Sequence, residues 1–310
     1  MKKINKQDLI LVLYGGDNAE SKVSEITGEN VFLSLIKSGY NAQKLFFDKE
    51  FLENIQKLHP KVIFNALHGK FGEDGRVQSI LDFLQIPYTH SGATASAIAM
   101  NKIFTSLICT KNIPNLHDPI TSIIYKDDVS EAVRIINNFP RPFVVKPIDE
   151  GSSAGVKIIE KDDIFDIKKY DWKFGGKIII QQYIKGRELQ IAIMDNKALG
   201  VCEVIPEGNF FDYNSKYISD TTKYIIPAKI SEKKYQETLD ISLKCHKLLN
   251  CRGINRIELI LGEDEKLYFL EMNTQPGFTP TSLVPKISKS VNISFDDMVE
   301  YLISTAKFND

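Results

Sequence analysis

The chain is poor in the features that hold a small secreted or metal-stapled protein together. Its 310 residues contain four cysteines, Cys109, Cys202, Cys245 and Cys251, with no CxxC pair and no metal-ligand spacing, and its five histidines are dispersed. That distribution suggests neither a disulfide framework nor a zinc site, and the thiols read as reduced core residues. No segment approaches the roughly 20 apolar residues that span a bilayer. The basic-then-apolar start MKKINKQDLILVLYGG holds only a short apolar run, Leu9 to Tyr14, before a double glycine, so it reads as a first strand rather than a signal segment. The expected location is the cytoplasm. Excess charge is also missing. Thirty-nine Lys and Arg against 40 Asp and Glu leave a net charge of −1, which argues against a general nucleic-acid or membrane-surface binder and for a small partner. There is no internal repeat and no low-complexity segment. The two N-terminal glycine loops do not fit GxGxxG, and neither GxxxxGKS nor GxxxxGKT occurs anywhere, so dinucleotide and P-loop readings lack their main support.

What is present is enough apolar material, 43% of the residues, to build two or three globular domains. Strands are expected at Leu9 to Tyr14, Leu45 to Phe47 and Val62 to Asn65. Helices are expected from about Ser24 to a stop at Gly39 and from Val77 to Leu84, ended by Pro87. The first hundred residues therefore read as a parallel α/β sheet with ligand loops at the carboxyl ends of its strands. Glu20 and His68 lie on two such loops. Alone, Glu20 is as readily a helix-start acid favoured by the helix dipole, and His68 a hydrogen-bonded loop histidine. A helical stretch from Thr94 to Thr110 and a helix from Val129 to Asn138 follow.

The most informative stretch is RIELILGEDEKLYFLEMNTQPGFTPTSLVP, Arg256 to Pro285. Ile257, Leu259 and Leu261 alternate with Arg256, Glu258 and Ile260, and Tyr268 to Asn273 alternate in the same way, which predicts two strands. A turn centred on Glu263 and Asp264 would place Glu258 opposite Phe269 and Arg256 opposite Glu271, gathering Arg256, Glu258, Glu271 and Asn273 on one face. Two carboxylates and an amide oxygen converging there repel one another unless a hard cation lies between them, and oxygen-only ligands favour magnesium. The alternative is a solvated strand face with a cross-strand salt bridge.

Three further runs have the same character. FVVKPIDEGSSAGVKII is strand, lysine, glycine-serine loop and strand, the shape of a phosphate flap in which Gly151, Ser152, Ser153 and Gly155 let backbone amides approach oxygens and Lys146 supplies charge. A plain hairpin with a flexible tip is the alternative. The strand Lys177 to Gln182 runs on through Tyr183 and Ile184 to another strand near Glu188, a plausible hinge whose edge could take an adenine while Glu188 binds a ribose. The loop PEGNFFDYNSKYISDTT, with Lys216 and Tyr217, is long enough to be a lid, or else a packed Ω-loop with its own aromatic core. At the C-terminal end, Ser294 with Asp297 makes a capping box, and Phe295, Met298, Val299, Leu302 and Ile303 form one apolar stripe.

Together, a lysine-bearing flap, a hinge strand, a tyrosine-bearing lid and a carboxylate pair followed by asparagine resemble the ATP-grasp fold. The runs ALHGKFGEDG, KPIDEGSSAGV, DYNSKYISD and LEMNTQPGFTPTSLVP are similar, in order and over nearly the whole chain, to those of D-alanine–D-alanine ligases. The resemblance implies a three-domain ATP-grasp fold of the α/β class: an N-terminal Rossmann-like substrate domain over 1–100, a small ATP-grasp domain with the flap over 101–185, and a domain with metal site and lid over 186–310. It implies ATP, two Mg2+ ions that Mn2+ can replace, D-alanine as substrate and a homodimer, with the product entering peptidoglycan. By resemblance Glu20 anchors the first D-alanine's ammonium, Ser152 and Tyr217 link flap, lid and that glutamate, and Arg256 faces the tetrahedral intermediate. Lys102, Lys146 and Lys216 contact phosphate. Gln181, Tyr183 and Ile184 take the adenine and Glu188 the ribose. Glu258, Glu271 and Asn273 hold magnesium, while His68, Ser282 and Leu283 line the substrate side.

Departures from the family pattern are Lys22, where many members carry a second acid, Asn101, where an aspartate often precedes the lysine, and Glu258, one methylene longer than the aspartate of some relatives. Tyr217 stands where relatives making D-alanyl-D-lactate carry phenylalanine. Two competing readings are an ATP-grasp ligase with a different second substrate, hinted at by Lys22, and a silent nucleotide-binding module, which the intact Arg256, Glu258, Glu271 and Asn273 disfavour.

Overall fold

The computed structural model describes residues 4–151, 154–206 and 222–309. Three sheets carry the described part of the chain. In the first, β1 (Ile10–Tyr14) lies between β2 (Ala42–Phe46) and β3 (Val62–Asn65), all parallel. Ile10, Leu11, Val12 and Leu13 are fully buried, as an unbroken apolar strand must be when both sheet faces are covered. α1 (Ser21–Lys37) covers one face. α2 (Phe51–Leu58) and α3 (Arg76–Phe83) cover the other, where Phe51, Ile55, Val77 and Leu81 meet Leu11, Leu13 and Ile63.

The helical stretch expected from Thr94 to Thr110 is instead two helices, α4 (Ala93–Met100) and α5 (Lys102–Asn112). Asn101 adopts extended angles, φ −88 and ψ 103, and its side-chain oxygen accepts from the amides of Ile103 and Phe104, each at 3.1 Å. A short polar side chain that satisfies two orphan amides starts a new helix rather than continuing the old one. The break makes Lys102 the first residue of α5 and turns it toward the site.

The second sheet is antiparallel, ordered β5 (Thr121–Tyr125), β8 (Lys177–Gln182), β6 (Phe143–Pro147) and β7 (Lys157–Ile159), with α6 (Val129–Asn138) packed on it through Ala132 and Ile136. The third has six strands, in the order β11 (Lys223–Ile225), β10 (Lys197–Ile205), β9 (Gly186–Met194), β12 (Ile254–Gly262), β13 (Leu267–Asn273) and β4 (Leu116–His117). α5 and α7 (Glu232–Leu248) bury Cys109, Ile241 and Cys245 against one face of it. All four cysteines are buried free thiols.

α8 (Leu283–Ser290) begins within the run LEMNTQPGFTPTSLVP; its Pro285 falls in the first turn, where the missing amide would have had no helical partner. α9 (Phe295–Thr305) starts at the expected capping box, with Asp297 N donating to Ser294 Oγ at 3.1 Å and Ser294 N donating to Asp297 Oδ2 at 2.9 Å. Its Met298, Val299, Leu302 and Ile303 return to the first sheet beside Val12, Val31 and Phe64. The last helix thus ties the two ends of the chain together.

The register of β12 and β13 differs from expectation. Glu258 pairs with Glu271 rather than Phe269, and Arg256 with Asn273 rather than Glu271. The turn is longer than two residues, with Gly262 N donating to Lys266 O at 2.9 Å and Glu265 at positive φ, and a bulge beside Glu258 leaves Leu270 as an extra residue in β13. The bulge lets Phe269 and Met272 both reach the core, which strict alternation forbids. It also sets Glu271 directly across from Glu258, so the four polar residues still share one face.

Candidate active site

A cavity of about 390 Å³ opens between the second and third sheets. Lys146 reaches it from β6 and Lys102 from the start of α5. Gln181, Tyr183 and Ile184 come from the end of β8 and the connection after it, Glu188 from β9, and Glu258 and Glu271 from the paired strands β12 and β13. Eight residues singled out from sequence therefore line one cavity. Val144, Val204, Ile260 and Leu270 give the same cavity apolar surface, the mixture of apolar wall and a few aimed polar groups that suits a small ligand.

The charged side of this cavity is balanced internally. Like charges directly opposite on a ladder repel, and Glu258 with Glu271 is such a pair. Arg256 Nη2 donates to Glu258 Oε1, and Lys102 Nζ lies 3.5 Å from Glu271 Oε2 while donating to the carbonyl of Glu150 at 2.6 Å. Lys146 is almost fully buried, and burial, with the neighbouring Lys102 ammonium, pushes it down to about 8 against the pull of Glu271, Glu258 and Asp118. Asp118 is itself held above the usual carboxylate range by burial, although Ser106 Oγ donates to it at 2.8 Å. Asn273 closes β13, and its Oδ1 accepts from Gln275 N at 2.7 Å.

Glu188 accepts from Gln190 Nε2 at 2.8 Å, two residues along the same strand face. Gln181 donates from Nε2 to Thr121 Oγ1 at 3.0 Å, and Tyr183 N donates to the Pro142 carbonyl at 3.2 Å, so the segment leaving β8 is anchored on both flanks. Arg187, also lining this cavity, grips Glu203 with two bonds of 2.7 and 2.6 Å. The sequence reading missed this pair, because only the β9 and β10 register brings the two together.

A second cavity, about 310 Å³, is lined by Glu20, Asn18, Lys70, Glu150, Gly151 and Phe174 among others. Glu20 is the N-cap of α1, but its side chain makes no capping bond. The carboxylate lies between two glycines: a Cβ on Gly69, at φ +67, would collide with it, and one on Gly151 would come within 3.1 Å of it. Glycine at both places lets two loops close on one carboxylate. Lys70 and Glu150 join those same two loops by an ion pair of 2.7 Å. Both residues stand in the quoted glycine-rich runs, and opposite charges on two converging loops were the only trace of the pair in the sequence.

The remaining expected residues lie apart from these walls. His68 is buried, its Nδ1 3.0 Å from Glu73 Oε1 and its Nε2 2.9 Å from Thr27 Oγ1. Ser282 is the N-cap of α8 and bonds with Thr279, and Leu283 is the first residue of that helix, packed on the core. Neither lines the two cavities. Ser152, Lys216 and Tyr217 lie outside the described residues.

Comparison with known proteins is consistent throughout. The family models for the D-ala D-ala ligase N-terminus and C-terminus match residues 49–91 and 119–304. A D-alanine–D-alanine ligase of Rickettsia massiliae is 41% identical over 304 residues, 96% of this chain and 92% of the relative, and that of Rickettsia typhi is also 41% identical. The crystal structure of D-alanine–D-alanine ligase from Bacillus anthracis superposes with a TM-score of 0.83 at 31% identity over 96% of this chain and 97% of its own. The same enzyme complexed with ATP superposes at 0.81 with 28% identity. The three-sheet α/β architecture is thus that of the ATP-grasp ligases, and the chain belongs to the D-alanine–D-alanine ligase family.

Proposed function

We propose that this protein joins two D-alanines at the expense of ATP, with the cavity between the second and third sheets as the nucleotide site and the Glu20 cavity as the entry to the amino-acid site. The observation that carries this is the convergence of Lys102, Lys146, Glu258, Glu271 and the β8 to β9 connection on one cavity. Two lysines crowded in a low-dielectric wall, one of them pushed down by burial and by the other, gain from a polyphosphate more than exposed lysines would. Glu258, Glu271 and Asn273 present oxygen atoms only, the donor set that suits Mg2+, and two such ions there would neutralise phosphate oxygens.

A carboxylate is a poor electrophile. In the proposed reaction a carboxylate oxygen of the first D-alanine bonds to the γ-phosphorus, the bond to the bridging oxygen breaks, and ADP leaves. The neutral amine of the second D-alanine then bonds to the carbonyl carbon, phosphate departs, and the amine loses a proton. In this reading Arg256 stabilises the oxyanion, and Lys102 and Lys146 the transferring group. Glu20, between Gly69 and Gly151, would hold the first ammonium.

We further propose that the chain divides near residues 100 and 185, each part built on one sheet, with α5 and β4 lying against the third. Cytoplasmic location and a homodimer are proposed from the resemblance; among the described residues no helix is long and apolar enough to cross a membrane. Lys22, the hint of another second substrate, is exposed and lines neither cavity. The deciding experiment is phosphate release from ATP with D-alanine, L-alanine and D-lactate offered singly and in pairs. D-alanine-dependent turnover yielding the dipeptide is expected, and turnover indifferent to D-alanine would overturn the reading.

A further inference from the structure

Gln275 belongs to none of the roles above, yet its side chain joins the two halves of the proposed site. It is 2% exposed, two residues beyond Asn273 at the end of β13. Its Nε2 donates to the carbonyl of Leu67, the residue before His68, and its Oε1 accepts from Asn65 Nδ2 at 2.8 Å. Asn65, fully buried at the end of β3, also donates to Gly72 O at 3.1 Å and accepts from Leu67 N at 3.2 Å, while Gln78 Nε2 donates to the same Gly72 carbonyl at 2.6 Å. One end of the Gln275 amide is therefore used on the loop that carries His68, Gly69 and Lys70, and the other on the end of β3 from which that loop departs. These contacts span 208 and 210 residues of sequence. With both ends of the Gln275 and Asn65 amides paired, this buried link fixes one geometry and resists sliding.

The loop it grips is the one whose Gly69 touches Glu20 and whose Lys70 pairs with Glu150. On the other side, Gln275 N donates to Asn273 Oδ1, so the same residue fixes the orientation of that amide. We infer that Gln275 is a positioning residue for the ligation: it sets the distance between the amino-acid loop after β3 and the phosphate and metal face of β13. This rests on the proposed function. An apolar residue of similar length would fill the space but leave the Leu67 carbonyl without a donor, and the loop would shift relative to β13 while the nucleotide cavity, which Gln275 does not line, keeps its shape.

The test is steady-state kinetics of dipeptide formation by the full-length Gln275→Met enzyme, with D-alanine and ATP varied separately and assayed well below its melting temperature. The expected result is a KM for D-alanine raised roughly tenfold, about 1.4 kcal/mol, with KM for ATP within twofold. Should Gln275→Met fail to fold, Asn65→Ser attacks the same link from the loop side and should give the same split. An unchanged KM for D-alanine, or equal rises in both constants, would overturn the inference even if the variant melts earlier. Wild-type enzyme that makes no dipeptide would instead defeat the functional reading, so the two failures are distinct.

Discussion

On β12 the proposed metal ligand Glu258 stands on backbone paired on both sides, with β9 and β13, and on β13 Glu271 and Asn273 stand on backbone paired with β12, β4 reaching only Leu267 and Tyr268. On the loops after β1 and β3, Glu20 and His68 stand on backbone held largely by other side chains. Asn18 Nδ2 donates to the carbonyls of His68 and Lys70, each at 3.1 Å, and Ser24 Oγ donates to Ala66 O at 2.8 Å while accepting from Gly15 N. The strand site inherits its geometry from main-chain pairing, which no single side chain controls. The loop site inherits its geometry from a handful of buried amides and hydroxyls, each a separate point of failure. Substitutions on the hairpin should therefore damage chemistry and spare the fold, whereas those in the loop network should trouble both.

The largest effect is expected at Glu271. Glu271→Gln keeps the shape and the ladder but removes a proposed metal carboxylate, so turnover should fall by roughly a thousandfold while the melting temperature stays within a few degrees. Phosphate release and a thermal melt measure both, and wild-type turnover would break the metal assignment. Lys146→Met comes next. It removes a charge-assisted contact worth about 1.5–3 kcal/mol, so KM for ATP should rise about 10- to 100-fold. Because burial already disfavours the Lys146 ammonium, the variant should melt no earlier than wild type; a clear loss of stability would mean that the lysine is structural.

The last effect falls on stability rather than turnover and probes the loop side through pH. His90 is buried, its Nδ1 3.0 Å from Thr89 Oγ1, the hydroxyl that also accepts from Asn65 N. Burial first, then the neighbouring His68 and Arg252, push it from 6.5 down to about 3. Between those values the unfolded chain binds a proton that the folded one refuses, so stability is lost as pH falls below about 6.5. By pH 4.5 the loss attributable to this group is on the order of 2–3 kcal/mol. Urea midpoints at pH 7 and 4.5 should therefore draw together in His90→Gln. An equal acid loss in that variant would clear His90 of the role.

Much of this was legible in the chain itself. Ile10 to Tyr14 reads as a buried parallel strand because nothing polar interrupts it, and Ser294 with Asp297 marks the start of α9 because a capping box is a local bond between residues three apart. The sharing of one face by Arg256, Glu258, Glu271 and Asn273 follows from the pleat, and survived an error of register because both the turn and the bulge added residues. The break at Asn101 was harder, since asparagine is tolerated inside a helix as well as at its start, and the choice depends on the orphan amides it meets.

Composition and local pattern by themselves determined the α/β class, the near-neutral surface, the reduced thiols and the charged face of β12 and β13, all of which depend on residues close in sequence. Only the tertiary structure decided that Lys102, Lys146, Glu258 and Glu271 share one cavity, that Arg187 grips Glu203, that His68 bonds with Glu73 and Thr27, and that Gln275 reaches back to Leu67 and Asn65. Apart from His68 with Glu73, five positions along the chain, those are residues tens to hundreds of positions apart, brought together by sheet order and register. The hydrophobic core brings the elements together, and the polar groups then find whichever partners that packing leaves within reach.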